Sequence, residues 1–300
     1  MVKYKLGNAP CSWGTIENTG GERLSYVQML DELAAAGFKG TELGDLGFMP
    51  TDPDKLREEL DKRKLDLIGS WVTVRLYDEA GHAPGVERAV KVAKLLAEVG
   101  GPHCTINIGD DHSTVHERFY NTGRIKPEMS LSEDGWQTYI KGINRIAEAV
   151  EGETGLRSAL HPHGSTHVET VDEIDKFLDL TDPDKVGIVF DTGHYMLGGG
   201  DPVEGVKTYG ERIWLMHFKD FDPEVIPVAL DEGLNYQQMI GRGMFSELGT
   251  GAVNFPDVLS AMREVGYNGW VVVEQDVLPG MGSPAENAKR NFAYLKGIGV

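Results

Sequence analysis

Val186-Gly-Ile-Val-Phe-Asp191-Thr-Gly-His194 is an unbroken apolar run that stops abruptly on polar residues. A strand covered on both faces reads as such a run, whereas a half-exposed strand alternates. The stretch 202–209 beyond it has helical spacing, so the two together predict a βα unit with its polar groups at the C-terminal end of the strand.

Working outward, the same pairing recurs. Strands are expected at 4–9, 40–43, 66–74, 104–108, 157–161, 186–191, 213–219 and 269–274. Helices are expected near 24–36, 53–63, 86–99, 134–150, 171–180, 202–209, 256–265 and 284–296. Gly37, Gly100 and Gly266 stand where a glycine follows a helix, and Asp52-Pro53 reads as an N-cap followed by a first-turn proline. Eight alternations in 300 residues predict an α/β fold, a single-domain (β/α)8 TIM barrel spanning 1–300. No Gly-x-Gly-x-x-Gly follows the first strand, which argues against a dinucleotide-binding sheet. Two connections, 109–133 and 221–254, are long enough to build over the C-terminal face and cover a site.

Composition narrows the partners. Lys and Arg number 29 against 47 Asp and Glu, a net charge of −18 that repels nucleic acid and anionic lipid. No apolar stretch of membrane-spanning length and no secretory leader pattern is seen, so a cytoplasmic protein with neither a nucleic-acid nor a membrane partner is expected. Cys11 and Cys104 cannot make a disulfide framework and are expected as small buried residues.

The ends of the last four strands carry the chemistry. Arg157-Ser-Ala-Leu-His161-Pro-His163, the run ending at Asp191, Ile213-Trp-Leu-Met-His217-Phe-Lys219-Asp220 and Trp270-Val-Val-Val-Glu274-Gln-Asp276 each finish on a potential ligand. Strand ends converge in a barrel, so His161, Asp191, His217 and Glu274 form a candidate metal set of two imidazoles and two carboxylates. That donor set suits Mn²⁺ or Co²⁺, with Zn²⁺, Fe²⁺ or Mg²⁺ as alternatives, and is poor for Ca²⁺. Taken singly, each residue has the ordinary alternative of capping a helix or bonding a backbone amide; four in succession do not share that explanation. His163, His194, Lys219 and Glu274 are the candidates for moving protons, with loop packing or a plain salt bridge as their alternatives. Glu42, Trp13, Trp71 and Asn8, at early strand ends, are candidates for a substrate-binding wall, although Trp is more often a core residue.

Phe190-Asp-Thr-Gly-His194, Met216-His-Phe-Lys-Asp220, Gly249-Thr-Gly-Ala-Val-Asn-Phe255 and Gly266-Tyr-Asn-Gly-Trp-Val-Val-Val-Glu-Gln-Asp276 resemble the xylose-isomerase-like TIM-barrel superfamily of sugar isomerases and epimerases over essentially the whole chain. Asn8-Ala-Pro-Cys-Ser-Trp13, His161-Pro-His163-Gly, Gly243-Met-Phe245 and the ending 291–299 look most like the inosose (2-keto-myo-inositol) dehydratases. The resemblance implies a divalent metal held by the same four residues. It implies a small polyol or keto-sugar substrate, metal-dependent loss of water from a keto-inositol and, since superfamily members commonly dimerise or tetramerise, a homo-oligomer. The isomerase and epimerase branch carries Glu where this chain has His161, which disfavours proton exchange between two opposed carboxylates. A sugar isomerase or 3-epimerase using the same site, distinguished by its rearranged product, is the first alternative; a sugar-binding barrel without turnover is the second. Endonuclease IV shares the superfamily, but its DNA substrate is at odds with the acidic charge.

Overall fold

The run ending at Asp191 is a strand, Val186–Asp191, buried at every position. In the computed structural model of the chain, residues 4–14, 24–111, 116–278 and 280–300 are described. The strands are β1 Lys5–Asn8, β2 Gly40–Thr41, β3 Asp66–Leu67, β4 Gly69–Val74, β5 Thr105–Asp110, β6 Arg157–Leu160, β7 Val186–Asp191, β8 Ile213–Phe218, β9 Asp220–Phe221, β10 Phe245–Ser246 and β11 Trp270–Val273. All except β9 and β10 form one parallel sheet in the order β3-β2-β1-β11-β8-β7-β6-β5-β4. The stretch expected as one strand over 66–74 is interrupted at Ile68, whose amide donates to the Thr41 carbonyl and whose carbonyl accepts from the Thr105 amide. β3 and β4 are therefore two halves of one strand, and Ile68 joins the ends of the sheet into an eight-membered barrel.

Ala9, Ile68, Ala159, Val189, Leu215, Trp270 and Val272 make a small core cluster, in keeping with the inside of the barrel. A much larger apolar layer, including Leu6, Ile106, Ile188, Met216 and Val271, binds the strands to the surrounding helices. The helices start where local chemistry predicts: Thr170 and Glu173 form a capping box ahead of Val171–Leu180, and the Asp52 side chain accepts from the Lys55 amide ahead of Pro53–Asp61.

Two expectations need correcting. The helix expected from residue 86 begins at Glu79 and runs to Val99 with Pro84 inside it; Asp78 caps it, and Pro84, which has no amide hydrogen, removes one backbone bond from its second turn. The left-handed position after it belongs to Gly101 (φ +87°), whereas Gly100 is right-handed (φ −92°). Gly37 and Gly266, at φ +112° and +74°, do adopt the expected conformation. Among the described residues, no helix is long and apolar enough to cross a membrane.

The long connections hold secondary structure. The first contains the helix His116–Asn121 and the turn Pro127–Met129, its residues 112–115 lying outside the described ones. The second contains the helices Val225–Glu232 and Tyr236–Gly241, closed at the neck by the antiparallel β9–β10 ladder, in which Phe221 pairs with Phe245. Val225, Ala229, Leu234, Met239, Ile240 and Met244 give this cap an apolar core distinct from the barrel's. The buried Asp220 carboxylate staples its base: Oδ1 accepts from the Phe221 and Val253 amides and Oδ2 from those of Gly249 and Gly251.

Candidate metal and substrate site

Asp191 ends β7 and lies in register with His217 of β8. His161 directly follows β6, its amide donating to the Ile108 carbonyl, and Glu274 directly follows β11, its amide donating to the Phe218 carbonyl. The barrel thus brings one donor atom from each of the four to within 4.8 Å of the others, all four residues buried.

The hydrogen bonds leave these atoms aimed at one another. His217 Nε2 contacts Glu42 Oε1 at 2.9 Å, so its Nδ1 faces the cluster, 3.3 Å from Glu274 Oε1. Asp191 Oδ1 accepts from the His194 amide at 2.8 Å while Oδ2 has no such partner, nor has either ring nitrogen of His161. Buried polar atoms without a hydrogen bond, such as those of His161 and Asp191 Oδ2, are costly, and these converge on one point. Burial works against a charged imidazole at His217, but Glu274 and Glu42 outweigh it and push the group up to about 10. The carboxylates thus draw positive charge to this point. The residues present fit a divalent ion with mixed nitrogen and oxygen donors.

Lys219, buried one strand-repeat beyond His217, reaches Glu274 Oε2 at 2.9 Å, Asp276 Oδ2 at 3.3 Å and Asp191 Oδ2 at 3.7 Å. Burial works against its charge, but Asp276, Glu274 and Asp191 outweigh that and hold the ammonium well above its ordinary range. Burial, with His163 and Lys219 beside it, holds His194 well below its ordinary range. His194 Nδ1 accepts from the Gly164 amide and its Nε2 lies 3.1 Å from Lys219 Nζ.

A cavity adjoins the cluster, lined by Ala9, Pro10, Cys11, Glu42, Gly44, Asp45, Trp71, His161, His163, Lys219, Tyr236, Ile240, Glu274 and Asp276. Of the residues expected on a substrate wall, Glu42 and Trp71 are there. Trp71 packs edge-on against His161, and Gly109 leaves it room, since a Cβ at 109 would lie 1.8 Å from the indole. Asn8 and Trp13 are not on this wall. Side chains alternate along β1, and Asn8 shares the parity of Leu6 in the outer layer while Ala9 faces the cavity; Trp13 turns its indole N–H to Glu32 at 2.8 Å. Of the expected proton carriers, Glu274, Lys219 and His163 line the cavity, whereas His194 is packed behind Lys219. Cys11 lies on the wall rather than in the core, and burial pushes its thiol up, away from thiolate.

The loop bearing His161 and His163 is braced from the 109–133 connection. Arg118 makes a bidentate pair with Glu173, whose Oε2 also accepts from the Glu169 and Thr170 amides. Glu169 in turn accepts from the Gly123 and Ser165 amides, and burial raises its carboxyl to about 7.

Glu42 also accepts from Asn107 Nδ2 at 2.8 Å, so a fixed carboxylate sets both the tautomer and the orientation of His217. Glu42→Gln is therefore expected to weaken divalent-metal affinity about 10- to 100-fold, as loss of a ligand's outer partner does. Titration with a competing chelator measures it, and unchanged affinity would refute this role.

A family model described as xylose isomerase-like TIM barrel matches residues 30–298. The chain is 31% identical over 299 residues to the inosose dehydratase of Lacticaseibacillus casei (strain BL23), covering 98% of this chain and 96% of that protein. Against the inosose dehydratase of Geobacillus kaustophilus (strain HTA426) identity is 30% over 294 residues, 97% of this chain and 94% of that protein. Among solved structures, the IolI protein with a bound zinc atom is similar at a TM-score of 0.71 and 16% identity, covering 98% of this chain and 97% of that one.

Proposed function

The chain belongs to the xylose isomerase-like TIM barrel family, and on that premise we propose that it is a metal-dependent hydro-lyase removing water from a keto-inositol or a related polyhydroxylated ketone. The observation that carries this reading is the convergence of His161, Asp191, His217 and Glu274, with the His161 nitrogens and Asp191 Oδ2 lacking hydrogen bonds, beside a cavity lined by hydrogen-bonding groups. The similarity to inosose dehydratases over nearly the full chain supports the choice of reaction, and a relative in fold that binds zinc supports the metal.

Those four residues would hold Mn²⁺ or Co²⁺, which when bound supplies Lewis-acid polarisation of a carbonyl. The chain's own groups manage the protons. Glu274, Asp276 and Lys219 form one connected set on the cavity wall, with separations of 2.9 and 3.3 Å. A carboxylate of this set takes the proton next to the ketone and Lys219 delivers one to the departing hydroxyl, which leaves as water. Exchange within the set then restores both groups. His194 keeps Lys219 in place from behind, and the Trp71 indole gives an apolar face for the ring. His161 adds a nitrogen donor where an isomerase of the opposed-carboxylate kind needs an exchangeable oxygen acid.

Metal-stripped protein incubated with 2-keto-myo-inositol, with and without Mn²⁺ or Co²⁺, is expected to develop the ultraviolet absorbance of an enolised diketone only when metal is added. Interconversion of ketoses without that absorbance would overturn the dehydratase reading in favour of an isomerase.

A further inference from the structure

The cap brings to the cavity a hydroxyl that no strand end supplies. Tyr236 and Ile240, one turn apart on the helix Tyr236–Gly241, both line the cavity, and that helix is fixed by a capping box between Asn235 and Gln238. Tyr236 is buried, its ring packs against His163 at 5.4 Å, and its hydroxyl lies 3.3 Å from His163 Nε2. Gly164 makes the approach possible, because a Cβ there would lie 2.9 Å from the Tyr236 ring.

His163 Nδ1 lies 2.9 Å from the Gly164 carbonyl oxygen, which holds the ring that Tyr236 packs against. The phenolic oxygen is thereby fixed on the cavity wall, where it can hydrogen-bond a ring hydroxyl of a substrate.

We propose that Tyr236 is a specificity-determining residue that hydrogen-bonds one ring hydroxyl of the substrate. In this arrangement His163 orients Tyr236 through their packed rings. The proposal deepens the dehydratase reading and rests on it for the identity of the substrate.

Tyr236→Phe keeps the ring and removes the hydroxyl. The variant is expected to raise KM about tenfold with kcat within about twofold, the scale of one lost hydrogen bond. A substrate analogue lacking the ring hydroxyl that faces Tyr236 is expected to suffer the same loss with the unmodified enzyme and no further loss with Tyr236→Phe. An unchanged KM, or equal additional losses for every deoxy analogue, would overturn the proposal. Two readouts do not depend on turnover. Binding of 2-keto-myo-inositol to the metal-stripped protein, followed by titration calorimetry, is expected to weaken about tenfold in Tyr236→Phe, and metal affinity is expected to be the same in both proteins. Unchanged ligand affinity refutes the proposal even where dehydration is observed; weakened affinity without dehydration refutes the reaction and leaves the Tyr236 contact standing.

Discussion

Asp191→Asn is expected to abolish turnover, lowering kcat/KM by about 10³-fold or more, while leaving the fold intact. Asparagine has nearly the same shape, and its side-chain oxygen can keep the bond from the His194 amide. What disappears is the negative charge on Oδ2, the atom that faces the other three donors without a hydrogen bond. Metal polarisation of a carbonyl is worth several kcal/mol, and every 1.36 kcal/mol is a factor of ten, so losing it is a loss of about three decades. Chelation of the unmodified protein is expected to have the same effect, reversed by Mn²⁺ or Co²⁺. Steady-state assays of the variant and of stripped and reloaded protein, with circular dichroism to confirm folding, decide the matter. More than a tenth of the activity surviving in either case would remove the metal centre from the reaction.

The second large effect falls on stability. Asp220→Ala withdraws the acceptor from four backbone amides, those of Phe221, Gly249, Gly251 and Val253, bonded at 2.9, 2.8, 2.9 and 3.0 Å. An orphaned buried donor costs about 1 kcal/mol or more, so the change is expected to lower stability by about 4 kcal/mol and the melting temperature by roughly 10 °C. Asparagine is not a rescue, since its NH₂ would face two of the four amides. Glutamate has no room either, because Gly251 already approaches so closely that a Cβ there would lie 2.5 Å from Asp220 Oδ1. Differential scanning calorimetry tests this, and a melting temperature within 2 or so degrees of the unmodified protein's would show that water replaces the carboxylate at little cost.

The barrel and its four convergent donors were legible because both rest on local patterns. A strand covered on two sides must be apolar until it ends, so His161, Asp191, His217 and Glu274 stood out as the first polar residues after such runs. What failed to show was whatever depends on phase or on distant partners. Asn8 and Ala9 are neighbours, and only the pleat of β1 decides which of them faces inward. Trp13 looked like a wall residue until Glu32, on the following helix, supplied a partner for its indole. The early start of Glu79–Val99 was hidden by Pro84, which reads as a breaker although the helix, capped at Asp78, runs through it. Tyr236 could not be found by strand-end reasoning at all, since it reaches the cavity from a helix inside a connection. The signal that was available was the length of that connection together with the Asn235…Gln238 capping pair.

The way the cap is joined to the barrel has a consequence for how such an enzyme changes over time. Its entry at Phe221 and exit at Phe245 sit directly across one ladder, so the intervening chain behaves as a cartridge plugged into a fixed socket. The entropy of closing a flexible segment grows by only about 0.6 kcal/mol per doubling of its length, and lengthening or replacing 222–244 leaves the strand ends untouched. Mutation can thus redraw the wall that carries Tyr236 and Ile240 without moving any of the four convergent donors. What the barrel transforms and which molecule it admits are heritable on separate stretches of chain.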